Sequence, residues 1–415
     1  MKDSAINSTK TNTLGDYISP CPNKAECGSC PLSHMPYNKQ IEHKQNQIIK
    51  DFANAGINIQ KRFEFIKSPK SSHYRNKMDY AISFIGHIGL RARKKWWKIL
   101  DGHTCFIAHE NIEKAFFIVR NWVKSTQLSY FDRKKHTGLL RYAIIRYTTT
   151  NELMVSILLS SLNFDSKFKE KHIKNELKDL ANMLSDEFKN ITVVWLENST
   201  ITDVSFGRVK QVITGKGYIN EHVNNIVYRI TPNSFFQNNL YLTPQLQQHV
   251  VDNVLKTGVE YKYIFDLYAG SGFFSIPIAK KIKYKKSGQY INIVTIEENK
   301  EAVEIGKVNA KLNKVDNITL IANKTEKVLQ KYEAELIQSI VVLDPPRSGL
   351  HNNVISMLLK TVPEKIIYVS CKYQRFLQEF TKLGLNSKYS IEHVTVFDMF
   401  PQTEHVETVI LLKKK

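Results

Sequence analysis

The sequence predicts an α/β protein: a parallel α/β sheet in the carboxy-terminal part, preceded by a mixed, largely antiparallel β region. Beyond about residue 240, short apolar runs alternate with helix-like stretches, the pattern of strands joined by crossover helices. Between 62 and 160 the runs RFEFI, MDYAISFI, LLRYAIIRYT and LMVSILLS are separated by turns, as in an antiparallel sheet. A length of 415 residues, 42% of them hydrophobic and 24% charged, suits two or three domains and is too apolar for a disordered chain.

Residues 1–17 are polar, lack the apolar run and cleavage site of a secretion signal, and are expected to be disordered. A cysteine-rich loop follows at 21–34, then a helix at about 37–55 with Ile41, Ile48, Ile49 and Phe52 as its apolar positions. After the strands of 62–160 come a helix at about 165–185 and further strands to about 230. The expected parts are therefore 1–17, 18–230 and 231–415. No stretch approaches the ~18 uninterrupted apolar residues of a membrane helix. A cytoplasmic monomer with no membrane partner is expected, and in that compartment cysteines serve metals or catalysis more often than disulfides.

The formal charge is +20, with 59 Lys and Arg against 39 Asp and Glu. Such an excess favours a polyanionic partner. It is concentrated in 61–150, where 19 basic residues face 6 acidic ones and aromatics are interleaved: His73 to Lys77, Arg91 to Lys98 with Trp96 and Trp97, Arg133 to Lys135, and Arg141, Tyr142, Arg146 and Tyr147. Cations neutralise phosphates and aromatic faces stack on unpaired bases, so this segment is expected to contact RNA or DNA. The alternative is a solvated sheet face with its aromatics turned inward.

Four carboxy-terminal strands end in chemistry. Tyr263-Ile-Phe265 runs into Asp266-Leu-Tyr-Ala-Gly270-Ser-Gly272, where two glycines let the backbone approach a ligand and the next helix aims its amides at the site. Ser275 occupies the place of the third glycine of a dinucleotide fingerprint, which weakens a nicotinamide or flavin reading. The strand 291–297 ends at Glu297, placed to accept from both hydroxyls of a ribose. The strand 339–344 ends at Asp344-Pro-Pro-Arg-Ser-Gly, whose prolines hold a loop over the carboxyl edge. The strand 365–370 is followed by Cys371, a candidate nucleophile in the same layer.

These motifs together resemble the RNA 5-methyluridine methyltransferases, which use S-adenosylmethionine. Asn233-Ser-Phe-Phe-Gln237 is similar to the family's cofactor pocket, Asp266-Leu-Tyr268-Ala-Gly-Ser-Gly to its glycine loop, and Asp344-Pro-Pro-Arg to its third motif. Val369-Ser-Cys371 resembles the nucleophile strand and Asp398-Met-Phe-Pro401-Gln-Thr-Glu-His-Val-Glu407 the segment with the general base. The resemblance covers about 20–412. It implies a Rossmann-like methyltransferase domain, with Gln237, Tyr268, Glu297 and Asp344 as cofactor contacts and Phe273 a weaker one. It further implies that Asp266 shapes the loop, Cys371 is the nucleophile, and Glu407 rather than Glu404 is the base. The residue types suit the reaction: a thiolate adding at carbon 6 of uracil makes carbon 5 nucleophilic, and a carboxylate then removes the carbon 5 proton.

Cys21, Cys27 and Cys30 lie too close together for ordinary core residues, and a tetrahedral site needs a fourth ligand. Cys105 is the cysteine left once Cys371 is assigned, with His34 as a fallback. Thiolates alone suit zinc or an iron–sulfur cluster. The resemblance favours a 4Fe-4S cluster in a small loop subdomain beside the β-rich RNA-binding region. Only 20 residues precede Cys21, so the extra β-barrel module of some family members is expected to be absent. Segments such as Tyr74-Arg-Asn-Lys-Met-Asp79 are similar to the archaeal branch and favour the T-loop uridine of tRNA over a uridine of 23S rRNA. The other classes considered are an amino-directed adenine methyltransferase and a non-catalytic RNA-binding protein.

Overall fold

The apolar runs Tyr263–Leu267, Asn292–Glu297, Ser339–Leu343 and Lys365–Ser370 are buried almost throughout, as strands covered on both faces must be. In the computed structural model, which describes residues 21–102, 105–256, 258, 261–282 and 290–415, they lie parallel at the centre of an eight-stranded sheet. Its order is Phe63–Ile66, Tyr389–Phe397, Glu407–Lys414, Lys365–Ser370, Ser339–Leu343, Tyr263–Leu267, Asn292–Glu297, Ile318–Ala322. Glu407–Lys414 runs antiparallel to both neighbours. Strand order reverses between Tyr263–Leu267 and Ser339–Leu343, and at such a switch point the carboxyl ends open a crevice for ligands. The segment 1–17 lies outside the described residues.

RFEFI does not join the antiparallel sheet. Phe63–Ile66 pairs in parallel with Tyr389–Phe397 as the outer strand of the larger sheet. The helix Tyr37–Asn54 goes with it, placing Ile48 and Phe52 in one core with Phe265, Leu343, Tyr368 and Phe376. Its apolar stripe needs a cover, and the carboxy-terminal sheet provides it.

The second sheet has seven strands, in the order Lys95–Asp101, Ile88–Ala92, Lys77–Ile82, Leu140–Tyr147, Leu153–Ser160, Ile191–Asn198, Arg208–Thr214. Its pairs are antiparallel except Leu153–Ser160 with Ile191–Asn198, which the helix Glu170–Ser185 connects. One face is covered by that helix and by Glu110–Ser125. The latter departs from the all-strand expectation for 62–160. Ile112, Ala115, Phe116, Val119, Trp122 and Val123 are buried at helical spacing. A hairpin, Ile219–Val223 with Ile226–Ile230, turns at Asn224 and Asn225, whose φ values of 48° and 65° suit a tight two-residue turn.

Candidate active site

The carboxyl ends of the larger sheet surround a cavity of about 1290 Å³. Gln237, Tyr268, Phe273, Glu297, Asp344, Cys371, Glu404 and Glu407, all singled out in the sequence, line it. The backbone after Tyr263–Leu267 is left-handed at Tyr268, Gly270 and Gly272, with φ of 64°, 55° and 85°. Only the first bears a side chain, and it faces the cavity. The Ser275 amide donates to Asp266 Oδ2 at 3.1 Å. Asp266 is fully buried and burial pushes its carboxyl up to about 7. It therefore shapes the turn rather than meeting a ligand.

Glu297 accepts from the Gly270 amide at 3.0 Å and from the Asn299 amide at 2.8 Å, which fixes its carboxylate at the strand end. Burial, with Asp266 and Glu297 nearby, raises the Asp344 carboxyl above its ordinary range. The loop after Asp344 hangs from buried Glu379, which accepts from the Leu350 amide at 2.8 Å and from Tyr368 OH at 2.7 Å. At Gly349, φ is 85° and a β-carbon would come 2.0 Å from Glu379 Oε1. Gly349→Ala should therefore cost about 1–3 kcal/mol, measured by urea unfolding, and should loosen the Asp344 loop.

Cys371 and Glu407 meet through strand register. Ser370 pairs with Thr408 across the antiparallel ladder, so one residue further Cys371 stands opposite Glu407. Residues so opposed present their side chains to the same face. Glu407 is 5% exposed, whereas the Glu404 side chain is 54% exposed and sits 3.2 Å from His43 Nε2. Only Glu407 has the buried setting of a carboxyl tuned for proton transfer. Burial and then Asp344 hold it well above the ordinary carboxylate range, with Arg347 acting in the opposite sense. Burial and Glu407 also raise the Cys371 thiol, against which Arg347 supplies a hydrogen bond and a positive charge.

Arg347 belongs to a quoted motif but received no role from the sequence. Its cation favours the thiolate, so Arg347→Met should move the Cys371 ionisation to higher pH. The acidic limb of kcat/KM against pH should shift in the alkaline direction, with a loss of roughly tenfold or more at pH 7. A profile identical to wild type would deny Arg347 that role.

A second set of residues escaped the sequence reading because its partners lie far apart in the chain. Lys44 Nζ is 2.6 Å from Asp398 Oδ1, and Tyr37 OH donates to Asp398 Oδ2 at 2.8 Å. The same ammonium donates to the carbonyls of Phe400 and His405, each at 3.2 Å. Gln40 and Gln402 join this clamp: the Gln402 amide donates to Gln40 Oε1, and Gln40 Nε2 to Gln402 Oε1, both at 2.9 Å. The amino-terminal helix thus holds the loop that delivers Glu407.

The basic segment divides in two. Arg141, Tyr142, Arg146 and Tyr147 are buried, the two arginines bonding to the carbonyls of Thr200, Thr202 and Ser234. This corrects their expected part in an exposed surface patch: all four side chains are buried within the sheet, although Nε and Nη1 of Arg146 have no hydrogen-bond partner there. Arg93 to Lys98 and Lys134 to His136 are exposed.

No disulfide joins the five cysteines. Burial, then Cys105, Cys27 and Cys21, push the Cys30 thiol up to about 12, so these thiols share one neighbourhood. Among the described residues, however, no three His, Cys, Asp or Glu side chains are disposed to hold a metal ion. Cys27 Sγ instead donates to Ser29 Oγ at 3.2 Å. His34 is turned to the Pro31 carbonyl, at 2.9 Å.

The donor set of the cavity suits one kind of cofactor. Glu297 suits a ribose diol, Ser275 stands in place of the third glycine of a dinucleotide turn, and Tyr268 and Phe273 offer faces to a cation. A Rossmann-like sheet with one antiparallel strand, Glu407–Lys414, third from its edge, a glycine turn at its switch point and a carboxylate-rich cavity defines a methyltransferase of the S-adenosylmethionine class. The family model described as tRNA (Uracil-5-)-methyltransferase matches residues 36–415. The chain belongs to that family, and with it to the S-adenosylmethionine-dependent RNA (uracil-C5)-methyltransferases. It is 33% identical over 387 residues to the tRNA (uracil(54)-C(5))-methyltransferase of Pyrococcus horikoshii, covering 93% of this chain and 83% of that one. An uncharacterised RNA methyltransferase of Caldanaerobacter subterraneus is 32% identical over 407 residues, covering 95% and 85%. The solved tRNA (uracil-54, C5)-methyltransferase of Pyrococcus abyssi, in complex with S-adenosyl-L-homocysteine, superposes with a TM-score of 0.72 at 30% identity, covering 92% and 85%.

Proposed function

We propose that this protein methylates carbon 5 of a uridine in the T-loop of tRNA, acting as a cytoplasmic monomer. The observation that carries the reading is the opposition of Cys371 and Glu407 across one ladder, inside a cavity also lined by Gln237, Tyr268, Glu297 and Asp344. The relatives named for uracil 54 of tRNA support that base over one in 23S rRNA.

The Cys371 thiolate adds to carbon 6 of the uracil, forming a carbon–sulfur bond and pushing the ring electrons to carbon 5 and the carbonyl oxygen. Bound S-adenosylmethionine supplies the electrophilic methyl group, and Gln237, Tyr268, Glu297 and Asp344 would hold it facing that carbon. Glu407 then takes the proton from carbon 5. The electron pair re-forms the double bond and expels the Cys371 thiolate, so the enzyme is restored and the proton leaves through the carboxylate. A stacked target base must be flipped out first, at a cost of about a few kcal/mol. In this reading the eight-stranded sheet performs the chemistry and the seven-stranded sheet presents the RNA.

RNA carrying 5-fluorouracil at the target tests the nucleophile. Fluorine cannot be removed as a proton, so wild type should form a methylated covalent complex that survives a denaturing gel. The same adduct with Cys371→Ala would show that another group attacks.

We further propose that Cys21, Cys27, Cys30 and Cys105 hold a 4Fe-4S cluster. The supporting observation is that the Cys30 thiol is raised by burial and then by the neighbouring Cys105, Cys27 and Cys21, a repulsion that a bound cation relieves. Its part would be structural. Anaerobic protein should be brown and contain iron and sulfide in about equal amounts. Colourless protein with stoichiometric zinc would replace the cluster by zinc.

A further inference from the structure

The face of the seven-stranded sheet away from its two helices carries exposed aromatics that the chemistry above does not use. Trp96 is 53% exposed and Trp97 62%, and the two rings meet edge to face at 5.9 Å. The guanidinium of Arg133 stands 4.9 Å from the Trp96 ring centre and 2.6 Å from Asp203. Asp203 also accepts from Arg91 and Tyr142, which ties the loop between Asn198 and Arg208 to this face. On that loop Phe206 is 62% exposed. Its neighbour Gly207 accepts from Asn233 Nδ2 at 2.9 Å, and two residues on, Phe235 lines the cavity with 73% of its surface exposed. Named contacts therefore link the indole of Trp96 to the mouth of the active site.

Such aromatics scattered singly would need no explanation, but these are joined through Arg133, Asp203, Asn233 and the short backbone segments between them, and exposed aromatics so joined beside an active-site cavity mark a binding surface. Charge selects the occupant. The exposed neighbours of Trp96 and Arg133 in sequence include Lys94, Lys95, Lys134 and Lys135, while Lys98 is paired with Glu26 at 2.8 Å and the acid at the centre, Asp203, is already shared by two arginines. A neutral protein surface has no use for this concentration of cations. A paired duplex keeps its base faces inside the stack. Unpaired nucleotides use both features, with phosphates on the lysines and bases on the rings.

We propose that Trp96 and Phe206 form a stacking track for the unpaired nucleotides flanking the target base, leading them to the cavity at Phe235. The inference rests on the RNA reading given above and specifies which residues receive the RNA. Both side chains are more than half exposed, so truncating them leaves the cores intact.

The test compares full-length wild type with Trp96→Ala, Phe206→Ala and the double variant, binding an unmodified tRNA transcript and a fully paired RNA duplex. Each single change should raise Kd for the transcript roughly tenfold, and the double change about a hundredfold. The change in rate should lie in KM for RNA, affinity for the duplex should move less than twofold, and Trp96→Phe should restore most of the binding. Emission should report the contact directly, because Trp122 and Trp195 are buried and the exposed pair would be quenched by stacked bases. A double variant that binds the transcript within twofold of wild type overturns the track while leaving the methylation reading intact. Weakened binding in the variants of a protein that transfers no methyl group upholds the track and overturns that reading. A wild type that binds no RNA overturns both.

Discussion

Glu407→Gln is expected to turn the enzyme from a catalyst into a trap. Addition of Cys371 and methyl transfer do not need the carboxylate as a base, but elimination does, since the thiolate leaves only when the carbon 5 proton is removed. Ordinary uridine-containing RNA should therefore accumulate as a covalent complex with Glu407→Gln, visible on a denaturing gel without any fluorinated base. Turnover should fall by about 10²–10⁴-fold, the usual contribution of a positioned general base. Glutamine keeps the size of the side chain at this buried position and removes a carboxyl whose ionisation burial and Asp344 already oppose. Folding should thus be little affected. Adding Cys371→Ala should abolish the adduct. Glu404→Gln, altering an exposed carboxylate paired with His43, should leave turnover within a few-fold of wild type.

Lys44→Met should be the most destabilising single substitution considered. The ammonium and the Asp398 carboxylate are 2% and 0% exposed, and removing one member of such a pair leaves the other charge buried without its partner. The expected loss is about 3–5 kcal/mol, read from the urea midpoint at unchanged slope. Two further carbonyls, of Phe400 and His405, lose their donor at the same time. Lys44→Met combined with Asp398→Leu should recover most of the loss, because an apolar pair of similar size avoids the stranded charge. If the double variant is as unstable as the sum of the singles, the pair is not the source of the effect.

What the sequence made legible was chemistry that is local in the chain. Asp266 to Gly272, Glu297, Asp344 and Cys371 each follow a short apolar run, and parallel strands bring their carboxyl ends to one edge whatever lies between. Contacts formed across the chain were hidden. Lys44 and Asp398 are 354 residues apart, and nothing in either neighbourhood announces the other. The run RFEFI contributes only the four-residue strand Phe63–Ile66 with no side fully buried, so its composition fits either sheet, and only the helix Tyr37–Asn54 packed beside it explains its place. Arg141 and Arg146 misled for a different reason. Arginine in a strand reads as exposed, yet both reach backbone carbonyls of neighbouring loops, Thr200 and Ser234 among them, and are buried there. The helix Glu110–Ser125 was readable from its 3.6-residue spacing, but it is enclosed by strands on both sides and the local β texture hid it.

The most direct measurement is of the nucleosides themselves. tRNA transcribed without modifications, incubated with the protein and S-adenosylmethionine and digested for mass spectrometry, should yield 5-methyluridine at a single T-loop position, and none with Cys371→Ala. Methyladenosine without 5-methyluridine, or 5-methyluridine formed equally well by Cys371→Ala, would contradict a uracil chemistry built on the Cys371 and Glu407 pair.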